Sequence, residues 1–218
     1  MLSPFALFWR ALKQWWGDIY TLWLANLLWT LGTLLVVTAP PAAAALNALA
    51  RQTAQDEPVQ WAHFLRHVGR YFWVSWGLTL LDGFILLLIA VNYQFWGRFI
   101  EGWARWIQGF WGAAFLVWLL WQLYLYPALV AQARPNVIRA MRNAFLLMLN
   151  EPVRTVGLGW LCLALLTASV GVVFPIFMAT PAVIAIACNG AYLAYTDEMD
   201  HHRARAVPPA RPRRSDKA

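Results

Sequence analysis

The sequence is short of charge. Asp, Glu, Lys and Arg make up only 12% of its 218 residues, whereas a soluble domain carries about 25%. Cysteine is almost absent. Cys162 and Cys188 both lie inside hydrophobic runs with no metal-ligand spacing, which gives no support to a disulfide framework. Catalytic motifs are missing as well. There is no glycine-rich phosphate loop, no zinc motif and no nucleophile elbow. Ser3, Ser75, Ser169 and Ser215 have no His–acid arrangement near them in the sequence, and the four histidines fall in polar segments. The expectation is a protein that is not an enzyme and that uses no cofactor or metal.

What remains is apolar surface. Hydrophobic residues make up 61% of the chain, and the mean hydropathy is +0.51. A core built from 218 residues cannot hide that much apolar surface, so the surplus must face lipid. The net charge of +7 lies outside the apolar runs and points to anionic headgroups rather than to nucleic acid.

The stretch from Trp23 to Arg51 organises the chain. Between Ile19 and Val37 there is no charge, and as a helix that segment covers roughly 30 Å, enough to cross a hydrocarbon core. Pro40 and Pro41 then stop or kink the helix. An alanine-rich helix too short to span follows, ending at Arg51 and either dipping back into the membrane or lying along it. Arg10 and Lys13 ahead of an apolar run imitate a signal peptide, but the run is too long and too rich in tryptophan for a signal h-region.

Periodicity places the other elements. Residues 3–17 form an amphipathic start, with Ser3 as cap and Pro4 at the first helical position. Residues 61–72 set Phe64, Val68 and Tyr71 opposite Arg66, His67 and Arg70, the pattern of a basic helix on a membrane surface. Residues 135–150 repeat it, with Val137, Met141, Ala144, Phe145 and Met148 opposite Arg139 and Arg142. Spans are expected at 19–39, 73–96, 109–131, 155–173 and 176–196, the last starting near Pro181 with Thr180 as cap. The residues 197–218 read as a disordered basic tail. The fold class is therefore an all-α polytopic membrane bundle with about five spans, in one domain over residues 1–196. With five spans, Arg10, Lys13, Arg98 and Arg105 fall on one side and the remaining Lys and Arg on the other. The positive-inside rule then sets the amino terminus outside and the carboxyl terminus in the cytoplasm of a plasma-membrane protein.

At this point a resemblance enters. Asn26-Leu-Leu-Trp29, Thr38 to Leu46, Tyr71-Phe-Trp-Val-Ser-Trp76, Val91-Asn92, Gln122 to Pro127 and Arg142-Asn143-Ala144 resemble the YesL-like family of small integral membrane proteins. The likeness covers roughly residues 5–195. It implies a bacterial protein associated with carbohydrate uptake, with subunits of an ABC-type sugar importer as partners. It carries over no functional residue.

Among single residues Asp82 stands out, because a carboxylate inside a span is costly unless it faces the bundle. One reading makes it part of a proton or cation path in a small transporter or channel, lined with Asn26, Gln122 and Asn189, with a homo-oligomer supplying the volume that short spans lack. The reading favoured here is a hydrogen-bonded acid that holds helices together through one of those amides. The tryptophans form an aromatic belt, with Trp9, Trp15, Trp16, Trp96, Trp103 and Trp106 at one boundary. Arg66, Arg70, Arg139 and Arg142 are the candidate contacts to lipid headgroups or to a partner. What the resemblance implies is a non-catalytic accessory or modulatory component linked to carbohydrate uptake.

Overall fold

A computed structural model of the protein describes residues 3–171 and 179–206, with only the backbone described at 171 and 200–206. Among the described residues the chain is helical, with no strand. Ser3 caps α1 (Pro4–Gly17) by accepting from the Ala6 amide at 3.2 Å, and Pro4 occupies the first turn as expected. Then follow α2 (Ile19–Leu34), a 3-10 turn (Val36–Thr38), α3 (Ala39–Ala54), α4 (Ala62–Trp96), α5 (Gly102–Val130), α6 (Val137–Asn150), α7 (Pro152–Gly171) and α8 (Thr180–Ala206).

Among the described residues three helices are long and apolar enough to cross a membrane: α4, α5 and α7 over Pro152–Val170. This fits a membrane protein. The first expected span, 19–39, has a different form. α2 is 16 residues long, about 24 Å, and the chain turns back at Leu35–Thr38. Pro40 and Pro41 do not end this helix. They sit in the first turn of the next one, where a missing amide donor costs nothing. The hairpin closes tightly: the Thr38 hydroxyl donates to the Gly32 carbonyl at 2.6 Å, and a Cβ on Gly32 would lie 2.9 Å from the Ala42 Cβ. The Trp76 indole of α4 donates to the Val37 carbonyl at 2.9 Å and pins the tip. Leu34, Leu35, Val36 and Val37 are exposed there by 75%, 66%, 75% and 62%, an apolar patch suited to lipid rather than water.

The hairpin also returns α3 to the level of α1. Arg10 Nη2 lies 2.7 Å from Asp56 Oδ2, just past the end of α3. Arg10 and Arg51 therefore sit at one end of the molecule, and the expectation of an outside amino terminus, which needed 19–39 to separate them, loses its basis. Trp9, Trp15 and Trp16 likewise leave the predicted belt. Their helix packs on α7 and α8, while Trp96 and Trp103 meet 5.7 Å apart at the far end of α4.

α3, expected either to dip back into the membrane or to lie along it, is the centre of the fold. Eleven of its 16 residues are buried, and it packs against α2, α4, α5 and α8. Its alanines explain how. They are the best helix formers, lose no side-chain entropy, and let neighbouring backbones approach closely. Leu46 and Leu49 fill the gaps between helices.

Other differences follow the same logic. Residues 61–72 are not a separate surface helix but the first third of α4, which at 35 residues is about 52 Å long and exceeds a hydrocarbon core of about 30 Å. α6 agrees with the expected 135–150 in place, but its buried face is Ala140, Met141, Ala144, Leu147 and Met148, and Phe145 is exposed. α8 begins at Thr180 and runs on to Ala206, so residues 197–206, expected as disordered tail, are helical. Pro175 and residues 207–218 lie outside the described residues. α7 and α8 are tied at both ends, by Ser169 with Thr180 and by Arg154 with Glu198 at 2.7 Å.

Candidate functional site

Asp82 sits on α4 facing α5. There the Trp118 indole N–H donates to Asp82 Oδ1 at 2.9 Å, and Gln122 Nε2 donates to Oδ1 at 2.9 Å and Oδ2 at 3.1 Å. Trp118 and Gln122 are four residues apart on one helix, so both project from the same face of α5 onto the same carboxyl. One turn below, Thr79 and Tyr126 bring their hydroxyls within 3.4 Å and extend this polar seam between α4 and α5. Both carboxyl oxygens are thus engaged, and the group is half-buried against apolar neighbours. Chemically this is an interhelical clamp.

The other members of the expected polar set lie elsewhere. Of the expected amides, Gln122 is the one that meets Asp82 among the hydrogen bonds described. Asn189 is buried on α8 and donates to Asn47 Oδ1 of α3 at 3.1 Å and to the Ala185 carbonyl at 2.9 Å. Asn26 is buried on α2, where its carbonyl accepts from the Thr30 hydroxyl at 2.9 Å. None of the hydrogen bonds described for Asp82 runs to either residue. Asn47 had no sequence signal, because its partner is 142 residues away. Trp118 had one: its spacing of four from Gln122.

Of the basic candidates, Arg70 reaches the connection into α6. Arg66 and Arg70 are exposed on the first turns of α4, and Arg139 and Arg142 are exposed on α6. Arg70 Nη2 donates to the Ala133 carbonyl at 3.3 Å, which joins the start of α4 to the connection that leads into α6, and its guanidinium lies over the Tyr71 ring at 5.5 Å. Arg66, Arg139 and Arg142 make no ion pair with any described residue. Arg154, which the sequence offered only as a charge to be counted, is instead structural. It pairs with Glu198 at 2.7 Å and Glu151 at 3.4 Å and lies 5.3 Å over the Tyr195 ring.

Asp56 anchors α1. Gln14 Nε2 donates to its Oδ1 at 2.8 Å and Arg10 Nη2 to its Oδ2. The Gln14 hydrogen bond first and the Arg10 charge second hold this carboxyl below the usual carboxylate range. A depressed folded-state pKa means that the contribution of Asp56 is fully present above the pKa of the unfolded chain and is lost as pH falls through the lower folded value. Acidification below about pH 4, the unperturbed aspartate range, is therefore expected to loosen α1 before the α3 core. Hydrogen exchange should show faster α1 amides at low pH, and Asp56→Asn should remove that pH dependence. Equal α1 protection at pH 7 and pH 3 would refute the anchor.

The hairpin and the α4 side of the seam fall in one segment, which takes in α2 from Leu22, the tip, α3 and α4 up to Tyr93. Residues 22–93 match the family model of DUF624, described as a protein of unknown function. The DUF624 match thus covers Asn26, Asn47, Arg66, Arg70 and Asp82, but not their partners on α5 and α8. No curated protein and no solved structure matches the chain.

Proposed function

We propose that the protein is a non-catalytic accessory or modulatory component of a membrane assembly. The observation that carries this reading is the state of Asp82. Its oxygens are taken up by Gln122 and Trp118, and Asn189, an amide that would continue a path, is bonded to Asn47 and Ala185, so a helix clamp accounts for the acid better than a conduction route does. The exposed unpaired cations at the opposite extreme, Arg66, Arg139 and Arg142, are the surface left for contacts with anionic headgroups or a partner. Of the 17 Lys and Arg, only Arg98 and Arg105 belong to the stretch where α4 passes into α5. The positive-inside rule then puts the end bearing Arg10, Arg51, Arg66 and Arg139 in the cytoplasm, together with the amino-terminal helix. The resemblance to the YesL-like family supplies carbohydrate uptake as the context and subunits of an ABC-type importer as partners.

Native mass spectrometry after gentle extraction from the source membrane tests this. The expected result is recovery in fixed ratio with sugar-importer subunits, weakened when Arg66, Arg139 and Arg142 are replaced together by glutamine and unchanged in Asp82→Asn. Recovery alone or as a homo-oligomer, with a reconstituted flux abolished by Asp82→Asn, would replace it with a transporter.

A further inference from the structure

A cavity of about 550 Å³ opens where α1 packs on α8 beside the end of α3. That size falls within the range of roughly 300–1,000 Å³ typical of small-ligand sites. Its lining divides by character. Leu7, Ile186 and Leu193 make an apolar wall, while Arg10, Glu57 and Asp197 supply charge. Gly190 also lines it, and a Cβ placed there would meet no heavy atom within 4 Å, so the wall of α8 is left open towards the cavity.

Among the described residues these charges are not used up. Glu57 and Asp197 are exposed and make no ion pair with any described residue. Both act on the Arg51 guanidinium from beyond salt-bridge range. Arg10 commits Nη2 to Asp56, which leaves its Nε and Nη1 protons for another acceptor. The cavity therefore offers two free carboxylates, a guanidinium edge and an apolar wall. Its ligand must carry both signs next to apolar matter. An anionic headgroup without an amine would meet two carboxylates and gain nothing from them. A quaternary ammonium would bring charge but no N–H to donate.

We infer that this cavity binds a phosphoethanolamine head, with the primary ammonium on Glu57 and Asp197, the phosphate on Arg10, and adjoining carbon against Leu7, Ile186 and Leu193. The head belongs either to an aminophospholipid or to the free compound, and the two sources are separable by experiment. This inference does not depend on the accessory role or on sugar uptake.

The test uses the purified full chain offered an equal mixture of phosphatidylethanolamine, phosphatidylcholine and phosphatidylglycerol, with retained lipid read by native mass spectrometry. One phosphatidylethanolamine should be retained in preference to each of the others by roughly tenfold. Retention should fall to the level of the others in Gly190→Leu, which fills the cavity from a position where a Cβ meets no heavy atom within 4 Å. It should fall likewise in Glu57→Gln/Asp197→Asn, whose positions are exposed. Thermal melts of both variants check folding. Displacement of the lipid by free phosphoethanolamine would mark the soluble compound as sufficient, and failure to displace it would mark the lipid as the ligand. Either result upholds the head chemistry. Equal retention of phosphatidylcholine or phosphatidylglycerol, or phosphatidylethanolamine retention unchanged in both variants, would overturn it.

Discussion

Gln122→Leu is expected to destabilise the protein by about 1–3 kcal/mol, the range for leaving a buried acceptor without its donor. The reason is asymmetry. Gln122 supplies both of its contacts from one amide nitrogen to the two oxygens of Asp82, at 2.9 and 3.1 Å. Its removal leaves Oδ2 with no described donor and Trp118 alone on Oδ1. Asp82→Asn, by contrast, keeps an oxygen for the same donors and should cost under about 1 kcal/mol, close to the mean for interhelical hydrogen bonds in membranes. Replacing both residues by leucine removes the unmet acceptor along with its donor, so the double variant should be more stable than Gln122→Leu alone. A double-mutant cycle by thermal or SDS unfolding in detergent measures each of these terms. A Gln122→Leu protein as stable as the parent would show that Asp82 is solvated and that the clamp is idle.

Gly32→Leu should have an effect of comparable size from a different cause. The two arms of the α2–α3 hairpin approach so closely at this point that even a methyl group on residue 32 would sit 2.9 Å from the Ala42 Cβ, well inside carbon–carbon contact distance. Neither atom can rotate away, since one is a Cβ and the other would be. The hairpin must spread, which also strains the Thr38 bond to the Gly32 carbonyl and the Trp76 bond to Val37. Overpacking of this kind costs about 1–3 kcal/mol. Gly32→Ala should show a smaller loss, and Gly32→Leu/Ala42→Gly should recover part of the stability by restoring space. If Gly32→Leu melts like the parent, the close approach is not a feature of the folded protein.

The helical class and most helix positions were legible from local chemistry. Ser3 before Pro4, the apolar periodicity of residues 137–150 and Thr180 before Pro181 each announce a helix through capping or spacing, and helices begin there. The first span misled because hydropathy sums residues without knowing direction. Residues 19–37 are apolar whether they continue or fold back, and a proline pair reads equally as the end of one helix or the start of the next. What selects the start is tertiary: Trp76 on Val37, and Arg10 on Asp56, 46 residues apart. The candidate site was half legible for the same reason. Asp82 is conspicuous by cost alone, and Gln122 was among its expected amides. Nothing local ties Asn189 to Asn47 or sets Arg154 over Tyr195.

The alanine composition of α3 has a consequence for how the protein tolerates change. A helix enclosed on several sides by others, with alanine at eight of its 16 positions, has little spare volume at those alanines to absorb a random substitution. Nearly every mutation there adds atoms where neighbours already touch. The chemically plainest segment, without an acid, an aromatic ring or a cysteine, is thus one that confines variation closely.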